Sequence, residues 1–160
     1  MEGPAVQHPL IVLLALKPLL ESVGFWLLAS LLVGVLANQL PMEWLHAQAQ
    51  PPVGPVGRPP GIRRWKRWIP DAGGALPGGV RKASLVRRDG EALGRLLIET
   101  RRAELVHWLL LPAALLTALW LPPPAVALNL LFSLMFNLPC LVLQRYNRAR
   151  LRHCLVHLAS

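Results

Sequence analysis

The sequence predicts an all-α integral membrane protein, with about three transmembrane helices and a basic cytoplasmic loop. Three observations carry that prediction. Of the 160 residues, 54% are hydrophobic and only 16% charged, against about 25% charged in soluble domains, and the mean hydropathy is +0.43. Residues 125–143 hold no ionisable side chain except Cys140, and at about 1.5 Å per residue such a run crosses most of a hydrocarbon core of about 30 Å. The lysines and arginines are unevenly spread: residues 41–105 hold twelve, residues 144–160 hold four, and Lys17 is the last.

In chain order, residues 1–40 supply the first transmembrane segment. Within it, residues 19–40 carry only Glu21 as a charge. The apolar run before Lys17 and Pro18 makes a helix longer than a bilayer needs, which predicts a kink or an interfacial first segment. Ala47-Gln48-Ala49 resembles a signal-peptidase site, but no positive region precedes Leu10 and the apolar stretch is too long for a secretory signal. Residues 41–102 form the basic loop. It comprises a short interfacial helix from Met42 with Trp44 as anchor, a Pro/Gly connector over 51–61, the cluster Arg63–Trp68, and a helical pattern from Asp89 onward. Residues 103–143 read as a transmembrane hairpin around Pro122-Pro123-Pro124, and residues 144–160 as a basic tail. Neither the hairpin tip nor residues 1–16 carry a basic residue, so the positive-inside rule places the N-terminus outside and the C-terminus in the cytoplasm of a multi-pass cell-membrane protein.

Seventeen basic residues against eight acidic give a net charge of +9, which suggests an anionic partner such as a phosphorylated substrate or anionic lipid. Nucleic acid fits poorly with three spans, and Trp and Arg together have a simpler interfacial explanation. Two cysteines without a CxxC motif indicate neither a disulfide framework nor zinc. His153, Cys154 and His157 include an i,i+4 pair, but no acidic or fourth ligand stands near in the sequence, so no metal site is expected.

The chemistry concentrates where the basic segment becomes a span. At 100° per residue Arg101, Glu104, His107 and Trp108 share one helix face. Glu104 and His107, three apart, are able to pair as a carboxylate-oriented general base, or merely to end the polar stretch as an interfacial pair. Asn129, Ser133, Asn137, Cys140 and Gln144 form a polar stripe on the last span. For Asn129 and Ser133 interhelical hydrogen bonding suffices, whereas Asn137 lies nearest the basic segment. Arg145, Tyr146, Asn147 and Arg148 follow directly; closely spaced arginines are suited to phosphate, and ordinary anchoring to anionic lipid also explains the arginines, though less well the interleaved Gln, Tyr and Asn.

Three blocks give the chain a family resemblance. Trp65-Lys66 followed by Pro70-Asp71 is similar to a W-K…D-G segment, although Ala72 stands before the glycine pair. Glu99-Thr100-Arg101-Arg102-Ala103-Glu104-Leu105-Val106-His107-Trp108 resembles an E-T-x-R-A-E-x-x-H-W block. Asn137-Leu138-Pro139 with Gln144-Arg145-Tyr146-Asn147-Arg148 resembles an N-x-P…Q-R-Y-N-R block. These are blocks of the glycosyl-4,4'-diaponeurosporenoate acyltransferase family, small membrane enzymes of carotenoid glycolipid biosynthesis.

The resemblance implies transfer of a fatty acyl group to a sugar hydroxyl of a carotenoid glucoside. No cofactor is expected, with acyl-CoA or a similar thioester as co-substrate, and the partners are the glucoside acceptor, the acyl donor and the bilayer. A homo-oligomer or a pathway complex remains open. His107 is the expected base, oriented by Glu104 or Asp71, and the attack is direct, since Cys140 sits deep and Ser84 has no evident partner. Arg101, Arg145 or Arg148 would hold donor phosphates. Asn137, Asn147 or Gln144 would hold sugar hydroxyls or the oxyanion, with Trp65, Lys66, Trp108 and Tyr146 completing the substrate site. The competing readings are a non-catalytic scaffold or pigment-binding subunit, and an acyltransferase acting on another glycolipid.

Overall fold

A computed structural model describes residues 7–48, 61–69 and 89–159. The Pro/Gly connector, Asp71 and Ser84 lie outside them. The described chain is helical: α1 (Gln7–Asn38), α2 (Met42–Gln48), α3 (Ile62–Trp65) continued by a 3-10 turn over Lys66–Trp68, α4 (Gly90–Ala113) continued by a 3-10 stretch over Ala114–Leu119, and α5 (Pro123–Ala159), with no strand among the described residues. Leu16–Asn38, Gly90–Leu119 and Pro123–Leu158 are long and apolar enough to cross a membrane.

Local chemistry sets the helix ends. Asp89 caps α4, its carboxylate accepting the Ala92 N–H at 2.8 Å. Such a cap is worth about 1 kcal/mol. Glu91 in the first turn complements the helix dipole and bridges Arg95 at 2.7 Å. The three prolines do more than close a hairpin. The Pro122 carbonyl accepts from Ala125 and Val126, while Pro123 and Pro124 occupy the first turn of α5, where a missing N–H costs nothing.

The helices run past the points where composition changes. α4 begins thirteen residues before Ala103, and α5 continues unbroken through positions 143 and 144. Arginine, glutamine and leucine are all good helix formers, so a change from apolar to basic is no stop signal. At about 1.5 Å per residue the 37 residues of α5 extend about 55 Å, well beyond a hydrocarbon core of about 30 Å. α1 likewise continues through Pro18. Pro18 lies inside that helix, and its carbonyl accepts the Ser22 hydroxyl at 2.7 Å.

Because lipid tails are as apolar as leucine, packing and polar bonds rather than hydrophobic burial hold such helices together. α4 and α5 make the principal pair, where Ser133 Oγ donates to the carbonyls of Leu110 and Leu111 at 3.3 Å, just before α4 tightens to 3-10 geometry. α1 is tied to α5 by Asn129: its Oδ1 accepts the Trp26 indole N–H at 2.7 Å and its Nδ2 donates to Ser22 Oγ at 2.9 Å. Phe25 meets Trp120 at 5.6 Å and Trp26 meets Phe132 at 5.3 Å. Asn129 and Ser133 thus act as interhelical ties. Interhelical bonds average about 0.6 kcal/mol each, so Asn129→Ala, which loses two, is expected to lower the melting temperature by about 2–5 °C in thermal unfolding of the detergent-solubilised protein.

Near the basic end of α5, Gly61 adopts φ 66°, the left-handed conformation that suits glycine, and turns the chain into α3. Ile62 then packs with Leu143 and Tyr146 of α5 in a small core that Trp65 and Ile69 cover.

Candidate active site

α1, α4 and α5 enclose a groove of about 960 Å³. Along α5 it is lined from Ala125 to Gln144, about 28 Å at the helical rise. One arm is mostly apolar, with Leu19, Val23, Trp26, Leu110, Phe132 and Phe136 among its walls beside the tied Ser22 and Asn129. The other arm, toward the basic end, is lined by Asn38, Glu99, Thr100, Arg102 and Gln144, with Ile69 beside them. His107 and Asn137 stand where the two arms meet.

His107 Nδ1 lies 2.9 Å from Asn137 Oδ1. The direction of this bond follows from the other end of the amide: Asn137 Nδ2 donates to the Ser133 carbonyl at 2.9 Å, which turns Oδ1 toward the imidazole. A carbonyl oxygen only accepts, so Nδ1 carries the proton and the lone pair resides on Nε2. A neutral amide therefore holds the imidazole in the tautomer of a general base on the groove wall.

This corrects the expected Glu104–His107 pair. Glu104, 1% exposed, faces the other side of the α4–α5 contact. Its Oε2 meets Arg101 Nη1 at 3.1 Å and Arg148 Nη1 at 2.5 Å; its Oε1 accepts from Arg145 Nε at 2.9 Å and, more weakly, from Trp108 Nε1 at 3.4 Å. The Arg145 guanidinium also lies 5.8 Å from the Trp108 ring centre. Hydrogen bonds from Arg101 and Arg145, a weak one from Trp108 and the close Arg148 ion pair surround the carboxylate, and the imidazole is not among its partners.

The residues singled out in the sequence therefore separate. His107, Asn137 and Gln144 line the groove, whereas Glu104, Arg101, Trp108, Arg145 and Arg148 form the ion cluster and do not. Tyr146 is buried in the core with Ile62, and Trp65 covers that core. Lys66 and Asn147 do not line the groove, and Asp71 lies outside the described residues.

The groove adds Glu99, Arg102 and Asn38 to the polar residues. Glu99 and Arg102 form a close i,i+3 ion pair, largely buried. Glu99, Ala103 and His107 lie at i, i+4 and i+8, so projection about His107 rather than about Glu104 brings the acid onto the groove face. Arg102 Nε and Gln144 Oε1 are buried and without hydrogen-bond partners. Buried polar atoms are as a rule satisfied, so these two orphans, one on α4 and one on α5, are candidate contacts for a ligand's polar groups. Among the described residues no group of three His, Cys, Asp or Glu is placed to hold a metal, and His153 and His157 face each other exposed on α5.

Asn137 stands where it can orient His107, and a pair of variants separates orientation from packing. Asn137→Leu is expected to lower turnover about 10–100-fold, whereas Asn137→Asp, which keeps an acceptor for Nδ1, restores most of it. Equal loss in both variants contradicts the orienting role.

No solved structure matches the chain. A family profile described as glycosyl-4,4'-diaponeurosporenoate acyltransferase matches residues 58–157. Curated proteins of that name are similar over much of the same length: one from Staphylococcus aureus (strain bovine RF122 / ET3-1) is 30% identical over 95 residues, 59% of this chain and 56% of its own. One from Staphylococcus haemolyticus (strain JCSC1435) is 34% identical over 93 residues, 58% and 53% respectively. The chain thus spans about half the length of the curated relatives it matches. The matched region contains α3, α4 and α5, hence His107, Asn137 and the ion cluster, and the chain belongs to the glycosyl-4,4'-diaponeurosporenoate acyltransferase family.

Proposed function

We propose that the protein is a membrane O-acyltransferase that esterifies a sugar hydroxyl of a carotenoid glucoside with a fatty acyl group from a thioester such as acyl-CoA. It acts in the cell membrane with its N-terminus outside and its C-terminus in the cytoplasm. The observation that carries this reading is a tautomer-fixed imidazole midway along a groove that is apolar on one side of it and polar on the other. A carotenoid glucoside has that same profile, a long apolar rod ending in a polyol, and the acyl chain of the donor is equally at home against the apolar walls.

In this mechanism His107 Nε2 takes the proton of the sugar hydroxyl as its oxygen attacks the thioester carbonyl. The tetrahedral intermediate collapses with cleavage of the C–S bond, and the thiolate leaves with the proton returned from the imidazolium. Gln144 Oε1 accepts from a second sugar hydroxyl, and Arg102, held by Glu99, offers its Nε–H to a neighbouring oxygen. Asn137 Nδ2 is committed to Ser133, which leaves Asn137 to orient the base rather than to bind the oxyanion.

The test is an assay of purified protein in detergent with acyl-CoA and a carotenoid glucoside, read by mass spectrometry. The expected product is the sugar ester, with none from the aglycone. A well-folded preparation that forms no ester from either a CoA or a carrier-protein thioester contradicts the reading and favours a scaffold. Equal acylation of an unrelated glycolipid moves the acceptor but not the reaction.

A further inference from the structure

The Glu104 cluster carries more positive charge than its acid balances. α5 contains no Asp or Glu, yet Arg145, Arg148 and Arg152 follow one another at spacings of three and four on one side of it. Arg101 comes from α4. The other acids at the α4 end are engaged elsewhere: Asp89 caps the helix, Glu91 bridges Arg95 and Glu99 bridges Arg102. Among the described residues Glu104 is the one acid in ion-pair distance of Arg101, Arg145 and Arg148, which leaves this contact a net +2 before Arg152 is counted.

Two of these guanidiniums are incompletely used. Arg145 gives Glu104 its Nε while its side chain stays 51% exposed, which leaves both Nη groups available. Arg152 Nη2 is buried without a hydrogen-bond partner. Unbalanced charge with unmet donors is costly at low dielectric, and a dianionic or monoanionic oxygen ligand relieves both.

The depth fits. Arg145 lies 22 residues below Pro123, about 33 Å at the helical rise, which is where a core of about 30 Å gives way to headgroups. Toward the membrane interior the same side of the pair presents Trp108, Leu138 and Val142, all exposed. Guanidiniums at headgroup depth beneath an exposed apolar strip match an amphiphile, phosphate below and chains above.

We infer that Arg145 and Arg152, framed by Arg101, Arg148 and Glu104, form a phosphate-binding site separate from the groove and occupied by the headgroup of an anionic phospholipid of the inner leaflet. None of these residues lines the groove, so the inference stands whether or not acyl transfer does.

The experiment is thermal unfolding in a phosphate-free maltoside detergent with added short-chain phosphatidylglycerol, phosphatidylcholine or coenzyme A. Phosphatidylglycerol is expected to raise the melting temperature by about 5–10 °C at a hundredfold excess over its dissociation constant, and phosphatidylcholine far less. The double variant Arg145→Gln/Arg152→Gln should lose that shift, while Arg95→Gln, an exposed charge on α4, should keep it. A shift from coenzyme A in place of phosphatidylglycerol overturns the lipid assignment and makes the donor the source of the phosphate. No shift with any probe, or an equal shift in the double variant, overturns the site itself.

Discussion

His107→Ala is expected to lower ester formation by about 10²–10⁴-fold, the usual worth of a positioned general base. The loss should appear in turnover rather than in binding, because the proton leaves the sugar hydroxyl only on the way to the transition state. His107→Gln is the sharper variant. Its amide supplies a donor for Asn137 Oδ1, the acceptor that His107 Nδ1 meets at 2.9 Å, so the fold keeps its hydrogen bond while the chemistry loses its base. Both variants should be inactive, with Gln melting closer to the wild type. A His107→Gln protein retaining more than about a tenth of wild-type turnover would contradict the base assignment.

Removal of Glu104 acts on the fold instead. With the carboxylate 1% exposed and contacted by three guanidiniums, Glu104→Leu leaves cations facing one another across the α4–α5 contact. Breaking a buried ion pair from one side costs about 3–5 kcal/mol. Loss of Glu104 should therefore lower the melting temperature by about 10 °C or more, read in detergent alongside the yield of monodisperse protein. Glu104→Gln keeps the hydrogen-bonding oxygen and half the geometry, and should fall between. If Glu104→Leu melts like the wild type, the carboxylate is not what holds the basic ends of α4 and α5 together.

The spans were legible because their signal is compositional: apolar runs long enough to cross a bilayer survive any uncertainty about packing. The start of a helical pattern at Asp89 and the ties at Asn129 and Ser133 were legible too, the ties because a lone polar group in lipid has few things it can do. Pairing across helices was not. His107 and Glu104 share a face in projection, yet a 60° difference was enough to send one to Asn137 and the other to Arg145 and Arg148. Spacing within one helix places side chains by angle; which neighbour lies at that angle depends on how α5 docks. Tyr146 misled for a related reason: it sits amid polar residues in sequence, while its ring is claimed by Ile62 from a segment some eighty residues earlier.

The groove has walls of two kinds. α4 and α5 fall within the family match at residues 58–157, whereas α1 lies before it. Yet α1 lends the groove Leu19, Val23, Trp26 and Asn38, and the ties named at its outer half are Trp26 and Ser22 to Asn129 and Phe25 to Trp120. On the proposed mechanism, reaction and fit fall on separable parts of the chain: the hairpin of α4 and α5 carries the proposed base, and the first helix supplies a wall. Exchanging α1 is then expected to change which hydrophobe is accepted and to leave the chemistry where it is.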